Sequence, residues 1–175
     1  AFSEALVQLF ASHEEAVFDY LSFRRDLESL AAERAAQMAS DTDLAVVAEI
    51  FAKMEAAHAK TNPAEEAQLD AEFHMASLES SHNVIMLHMM RSMFQLLREG
   101  VFYNRQVMFK QRTTRQSLLD QHRAIHEALK AREPESARRA VVAHLDFVTS
   151  CLRQQQTADR NEAIARQRLE HEQSR

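Results

Sequence analysis

The chain has 175 residues, 46% of them apolar, with a formal net charge of −5, one glycine, two prolines and one cysteine. That length supports one domain with a real core, and so few breakers among so much Ala, Leu, Glu, Arg and Gln predict an almost wholly helical chain. No stretch approaches the ~20 apolar residues of a membrane span, no secretory signal is visible, the lone Cys151 excludes an internal disulfide and fits a reducing, cytoplasmic setting, and the acidic balance gives this segment no reason to bind nucleic acid by itself.

The chain starts at Ala1 and runs straight into amphipathic sequence, as a piece of a longer protein would. Phe2, Leu6, Leu9 and Phe10 predict a short first helix. Ser12 reads as the N-cap of the next, with Glu15 closing a capping box. That helix runs to about Met38, with Val17, Leu21, Leu27, Leu30 and Ala31 as its apolar stripe. Ser40-Asp41-Thr42-Asp43 caps a helix to about Lys60. Asn62-Pro63 starts another, with Pro at N1 and acidic Glu65 and Glu66 behind it, ending near Glu79. Asn83 caps a helix bearing Val84, Ile85, Leu87, Met90, Met93, Phe94 and Leu97. Gly100 kinks or ends it, and apolar spacing continues through Val101, Phe102, Val107 and Phe109. Thr113-Thr114 opens the next helix, through Leu118, Leu119, Ile125 and Leu129, and Glu133-Pro134 breaks it. The last carries Ala137, Ala140, Val141, His144, Leu145 and Val148 past Leu152. Arg153 to Arg175 is charged and polar, an exposed helical extension or a frayed tail. The expected architecture is an all-α antiparallel bundle of six to seven helices.

Four residues in this frame carry ligand chemistry. Asp70 and His74 are four apart, so a helix puts both on one face. Alone, the pair reads as a solvated face or a simple Asp–His hydrogen bond; its apolar flanks Leu69, Phe73 and Met75 and two further histidines on apolar faces favour more. His122 lies about 11 residues before the Glu133-Pro134 break and His144 about 11 after it. Both therefore sit roughly 15 Å from the turn, at one level on neighbouring antiparallel helices. His126 is offset from that level by ~6 Å, which leaves it a neighbour of the group. Three imidazoles and one carboxylate suit Zn²⁺, Ni²⁺, Mn²⁺ or Fe²⁺. The alternative is four buried or half-buried polar residues in unrelated places.

Leu69-Asp70-Ala71-Glu72-Phe73-His74, then Ser81-His82-Asn83, His122-Arg123-Ala124-Ile125 and Ala143-His144-Leu145, together resemble the FCD domain. That is the all-helical effector-binding domain of the FadR subfamily of GntR-type bacterial transcription regulators. Arg24 and Glu28, in Phe23-Arg24-Arg25-Asp26-Leu27-Glu28, look like the Arg and Glu of that family's first long helix. The resemblance spans about residues 15–150 and looks closest to regulators of lactate, glycolate and pyruvate metabolism. It implies that Asp70, His74, His122 and His144 ligate a divalent metal, Zn²⁺ first, with Ni²⁺, Mn²⁺ or Fe²⁺ as alternatives. It implies that Arg24 pairs with a small carboxylate effector, a task suited to a guanidinium fork. Asn83 is either an effector contact or only a helix cap. A winged helix-turn-helix DNA-binding domain precedes this one in the family, so DNA enters as a partner only through that missing domain, in a homodimer without membrane contact. Residues 1–12 then form a short helix after the interdomain linker, 13–155 the effector- and metal-binding domain, and 156–175 a charged helical extension.

The run Met86, Met89, Met90, Met93 and Phe94 reads as core or dimer interface. His82 and His88 read as non-ligands, and His13, His58 and His171 as surface. Cys151 reads as a small buried residue without a helper base. Two other functions stay open: a metal-dependent bundle enzyme, for which the paired Glu-x-x-His motifs of di-metal bundles are missing, and a module that a metal merely stabilises. The expected role is sensing, not catalysis.

Overall fold

The computed structural model describes residues 8, 12, 13, 15–96 and 112–175. The predicted first helix at Phe2–Phe10 and the apolar run around Gly100 to Phe109 lie outside, or almost outside, those residues. Six helices are described: α1 Ala16–Met38, α2 Asp41–Lys60, α3 Pro63–Glu79, α4 Val84–Leu96, α5 Arg112–Lys130 and α6 Pro134–Gln173. No strand occurs among the described residues. None of the described helices is long and apolar enough to cross a membrane.

Local chemistry sets most of the boundaries. Ser40 and Asp43 form a reciprocal capping box on α2: Ser40 Oγ accepts the Asp43 N–H at 3.1 Å and Asp43 Oδ2 accepts the Ser40 N–H at 2.8 Å. Asn62 Oδ1 caps α3 ahead of Pro63. Asn83 Oδ1 accepts the Met86 N–H at 3.1 Å and caps α4. Three connections need a left-handed residue and have no glycine to supply it, so Thr61, His82 and Arg132 take positive φ. The Arg132 guanidinium answers by binding the Ala39 carbonyl and the Asp41 carboxylate, which pins the α5–α6 turn to the α1–α2 turn.

One expected cap is absent. Helix α1 starts at Ala16, with Glu15 at the N-cap position and no side-chain cap hydrogen bond. The Ser12 hydroxyl donates to the Gln8 carbonyl, and the Glu15 carboxylate reaches across to Arg153. A tertiary ion pair has taken the acid that the capping box required. The inward face of α1 also differs from the predicted stripe. Leu21 and Ala31 are buried, but Leu30 is about half exposed, and Arg24 and Glu28 point inward instead.

Helices α2 and α3 form one hairpin, α5 and α6 another, and α1 lies along α6. Ion pairs Glu15–Arg153, Arg25–Asp146 and Glu33–Arg138 descend in register and make α1 and α6 antiparallel. Close approach is possible because α1 presents Ala32, Ala35 and Ala36 to Ala137, Val141 and Leu145. The main core adds Val47, Phe51 and Met54 from α2, Phe73 from α3 and Ile125 and Leu129 from α5. Met90 and Phe94 pack α4 onto Tyr20, Ala31 and Leu78, with Met86 and Met93 partly buried against them, so all of the methionine run but Met89 packs on this cluster. Val84, Ile85 and Met89, on the other side of α4, are exposed. Cys151 is half-buried, slightly less covered than expected, and burial pushes its thiol upward, away from nucleophile chemistry. Helix α6 continues through residue 155 without a break to Gln173, and residues 157–175 are exposed throughout.

A buried ion pair anchors the two hairpins. Arg115 on α5 meets Glu66 on α3 at 2.7 Å and donates to the His58 carbonyl at 2.8 Å. His58, expected at the surface, is half-buried because its Nδ1 packs 3.3 Å from Glu66. Arg115→Ala is expected to cost about 3 kcal/mol in a denaturant melt, since it strands a buried carboxylate. The double change Glu66→Gln with Arg115→Met should recover most of that loss. A single mutant melting like the parent would show the pair contributes nothing.

Candidate metal and effector site

The four ligand-type residues come from three helices. Asp70 and His74 lie on consecutive turns of α3, His122 on α5 and His144 on α6, and all four are buried. One ligand atom from each lies within 4.8 Å of all the others. His74 Nε2 is 3.2 Å from His144 Nε2 and 3.3 Å from His122 Nε2. Asp70 Oδ1 is 3.1 Å from His122 Nε2 and 3.7 Å from His74 Nε2. The hairpin register places the rings of His122 and His144 with centroids 4.5 Å apart. His126 does not join them. It stacks on Phe51 of α2 at 5.1 Å, one turn further along α5, and burial lowers its pKa.

The outer nitrogen of each ring is occupied. His122 Nδ1 donates to the Leu118 carbonyl at 2.7 Å. His144 Nδ1 donates to Gln121 Oε1 at 3.0 Å. His74 Nδ1 lies 2.7 Å from Glu28 Oε2, too close for two groups that both lack a proton. The carbonyl and amide oxygens assign the proton to Nδ1 in His122 and His144, and the close carboxylate of Glu28, though off hydrogen-bond geometry, favours the same tautomer in His74, leaving bare Nε2 lone pairs inside. Three lone pairs and a carboxylate oxygen then face one another in a dry interior, an arrangement that repels itself. A cation among them reverses the sign of every term. The spacing suits one: metal–nitrogen bonds of ~2.1 Å at tetrahedral to right angles set such nitrogens roughly 3.0–3.4 Å apart. The Nδ1 partners are those that orient metal-bound imidazoles in general. The donor set therefore fits a divalent metal ion.

Arg24 stands beside this group. It is 2% exposed, its Nε is 2.5 Å from Glu28 Oε1, and its guanidinium carbon is 4.9 Å from the centre of the Phe94 ring. Its Nη2 is buried and has no hydrogen-bond acceptor among the described residues. Glu28 thus touches both Arg24 and His74 and joins the guanidinium to the histidine cluster. Neither Glu28's bridging role nor Gln121's hold on His144 was assigned from sequence. For Glu28 the signal was its i, i+4 spacing from Arg24 on a face that turns inward; Gln121 gave none. The Asn83 side-chain oxygen is engaged as a cap on α4.

The protonation states follow from burial and neighbours. Burial holds His74 below the usual imidazole value of 6.5 despite Glu28, and burial together with His122 and His74 holds His144 well below it. Burial pushes the Glu28 carboxyl up, but Arg24 and His74 outweigh it and bring it to about 2. The unfolded chain therefore binds protons that the folded one refuses. The stability from His74 and His144 is complete above 6.5 and lost as pH falls below it; that from Glu28 is complete above 4.5 and lost toward 2. The melting temperature of metal-free protein should fall between pH 7 and pH 5 and again below 4.5. A flat profile from pH 7 to 5 would sink the neutral-imidazole assignment.

Fold and site together define a helical domain built around a buried three-histidine, one-aspartate centre with an arginine at its edge. The sequence model of the FCD domain matches residues 19–147, and the chain belongs to that family. It is 32% identical over 150 residues to a candidate L-lactate dehydrogenase operon regulatory protein of Escherichia coli (strain K12), covering 86% of this chain and 57% of that protein. It is 30% identical to the Glc operon transcriptional activator of the same strain, covering 82% of this chain and 58% of the relative. Both relatives are named as regulators, not enzymes, and the chain spans little more than half the length of either. Among solved structures, E. coli McbR/YncC superposes with a TM-score of 0.71 at 20% identity, over 82% of this chain and 66% of that one, a likeness of fold.

Proposed function

We propose that this domain senses a small carboxylate through a divalent metal held by Asp70, His74, His122 and His144, and thereby controls DNA binding by a separate winged helix-turn-helix domain. One observation carries the reading: three Nε2 lone pairs and an aspartate oxygen converge in a buried space while every Nδ1 is held from outside. Zn²⁺ fits this nitrogen-rich set first, with Ni²⁺, Mn²⁺ and Fe²⁺ as alternatives. A divalent ion bound there supplies a Lewis-acidic position for a carboxylate or hydroxyl oxygen.

Everything else falls to the chain's own residues. Arg24 Nη2 offers a buried donor for the acid's second oxygen. Phe94 and Tyr20 line the guanidinium and keep water away from it. Asn83 caps α4, whose N-terminus follows directly from the α3 helix that bears two ligands. An acid favouring one arrangement of α1 relative to α3, α5 and α6 would bias the pairing of two copies, and with it the spacing of their reading heads. The effector class is glycolate-, lactate- or pyruvate-like, as the two operon-regulator relatives suggest, and the setting is a cytoplasmic homodimer.

Calorimetry on Zn²⁺-loaded and metal-free protein tests the reading. At least one of glycolate, lactate and pyruvate should bind the loaded protein and none the metal-free form. Failure of all three against loaded protein would leave the metal as a structural clamp.

A further inference from the structure

The four ligand side chains belong to residues that are 0–4% exposed, so an ion reaching them from solvent must cross packed protein. Helices α3 and α5 mark a course. On α3, Glu66 stands one turn before Asp70; on α5, Arg115 stands two turns before His122. Arg115 and Glu66 meet at 2.7 Å, and His122 and Asp70 at 3.1 Å, so the two helices carry two stacked polar layers. Four residues of α3 separate the layers by ~6 Å. A cavity of about 10 Å³ joins them, lined by Met54, Glu66, Arg115, Leu119 and His122. It has just room for one water molecule. Beyond the ion pair stands His58, with Nδ1 3.3 Å from Glu66 Oε2 and its side chain 21% exposed. Nitrogen and oxygen donors thus run inward in single file, from half-buried His58 through buried Glu66 to Asp70 and His122.

A bare cation does not cross an apolar interior, because the hydration it loses is far too costly. A carboxylate one turn short of Asp70 cuts the stretch without an anionic partner to ~6 Å. Arg115 works against passage: its guanidinium repels a cation and holds the two Glu66 oxygens at 2.7–3.1 Å. It can release them without being stranded, since Nη2 also donates to the His58 carbonyl at 2.8 Å.

We propose that the divalent ion enters and leaves the buried centre along His58 and Glu66, and that the Arg115–Glu66 pair closes this path when no ion is passing. This rests on the metal reading above and adds the route by which the centre is filled. Neither His58 nor Glu66 is among the four ligands, so the route sets how fast the ion exchanges and leaves its affinity almost untouched.

The test is stopped-flow exchange of Zn²⁺ on the full chain. Uptake is followed in competition with a fluorescent zinc indicator, release by transfer to excess EDTA, and Kd by equilibrium competition. The informative variant is Glu66→Gln with Arg115→Met. It removes the relaying carboxylate, keeps the net charge of the pair at zero and leaves no buried ion alone. Uptake and release should both slow by about tenfold or more, with Kd close to that of the parent. His58→Ala, at the half-buried mouth, spares the core and should also slow both rates without moving Kd.

Parent-like exchange in the folded double variant overturns the proposal; if that variant does not fold, parent-like exchange in His58→Ala overturns it. A change in one rate alone does the same, because it moves Kd and marks an effect on the bound ion, not on its path. So does a release rate that climbs with EDTA concentration in the parent, since the chelator would then strip the ion at an open face. A parent that binds no Zn²⁺ would instead bring down the metal reading itself.

Discussion

Saturating the metal-free protein with Zn²⁺ is expected to raise its melting temperature by roughly 8–16 °C. An ion at about 1,000 times its Kd stabilises the form that binds it by ~4.1 kcal/mol, and for a chain of this size each kcal/mol moves the midpoint by roughly 2–4 °C. The effect should be large because the metal-free centre works against the fold. His74, His122 and His144 hold their Nε2 atoms 3.2–3.3 Å from one another or close by, next to Asp70, with no proton to share. The same logic predicts an opposite sign for one substitution. His144→Leu replaces one lone pair by an apolar group of similar size in a site that is 1% exposed. In metal-free protein it should leave the melting temperature unchanged or raise it, as when a buried polar cluster is replaced by well-packed apolar side chains. It should also abolish most of the Zn²⁺ shift. A metal-free His144→Leu protein that melts well below the parent would mean the cluster is already self-consistent without an ion.

Arg24→Ala should separate two roles of one guanidinium. Stability should fall by about 3 kcal/mol or more, because the Glu28 carboxylate is left buried without its cation. Carboxylate binding should weaken by roughly a hundredfold, in line with the loss of a charged, bidentate donor worth ~3 kcal/mol. Zn²⁺ content should stay at parent level, since Arg24 is no ligand. Arg24→Lys restores the charge without the fork, so it should recover stability better than affinity. Equal affinity for acid in Arg24→Ala would remove Arg24 from the effector site and leave it a structural partner of Glu28.

The helices were legible because local signals set them. Ser40 with Asp43, Asn62 with Pro63, Asn83, and Glu133 with Pro134 mark boundaries that depend on neighbours a few residues away. Ser12 misled because the acid it needed, Glu15, was claimed by Arg153, 138 residues along the chain. The juxtaposition of His122 and His144 could be read from distance to a shared turn, and the same arithmetic separated His126, which stacks on Phe51. The contacts that tie Arg24 to the histidines were not legible. An Arg and a Glu four apart on a helix are ordinarily a solvated surface pair. Only tertiary packing turns that face of α1 inward and presses Glu28 against His74. Arg115 and Glu66 escaped notice for the same reason: their partnership exists only once α3 and α5 are side by side.

The most direct test of the metal centre is anomalous diffraction from crystals of Zn²⁺-loaded protein, collected on both sides of the zinc edge. The account predicts one strong peak, present above the edge and lost below it, about 2.0–2.2 Å from Nε2 of His74, His122 and His144 and from a carboxylate oxygen of Asp70. No peak among those four side chains, with the three Nε2 atoms bonded to water or protein instead, would contradict it.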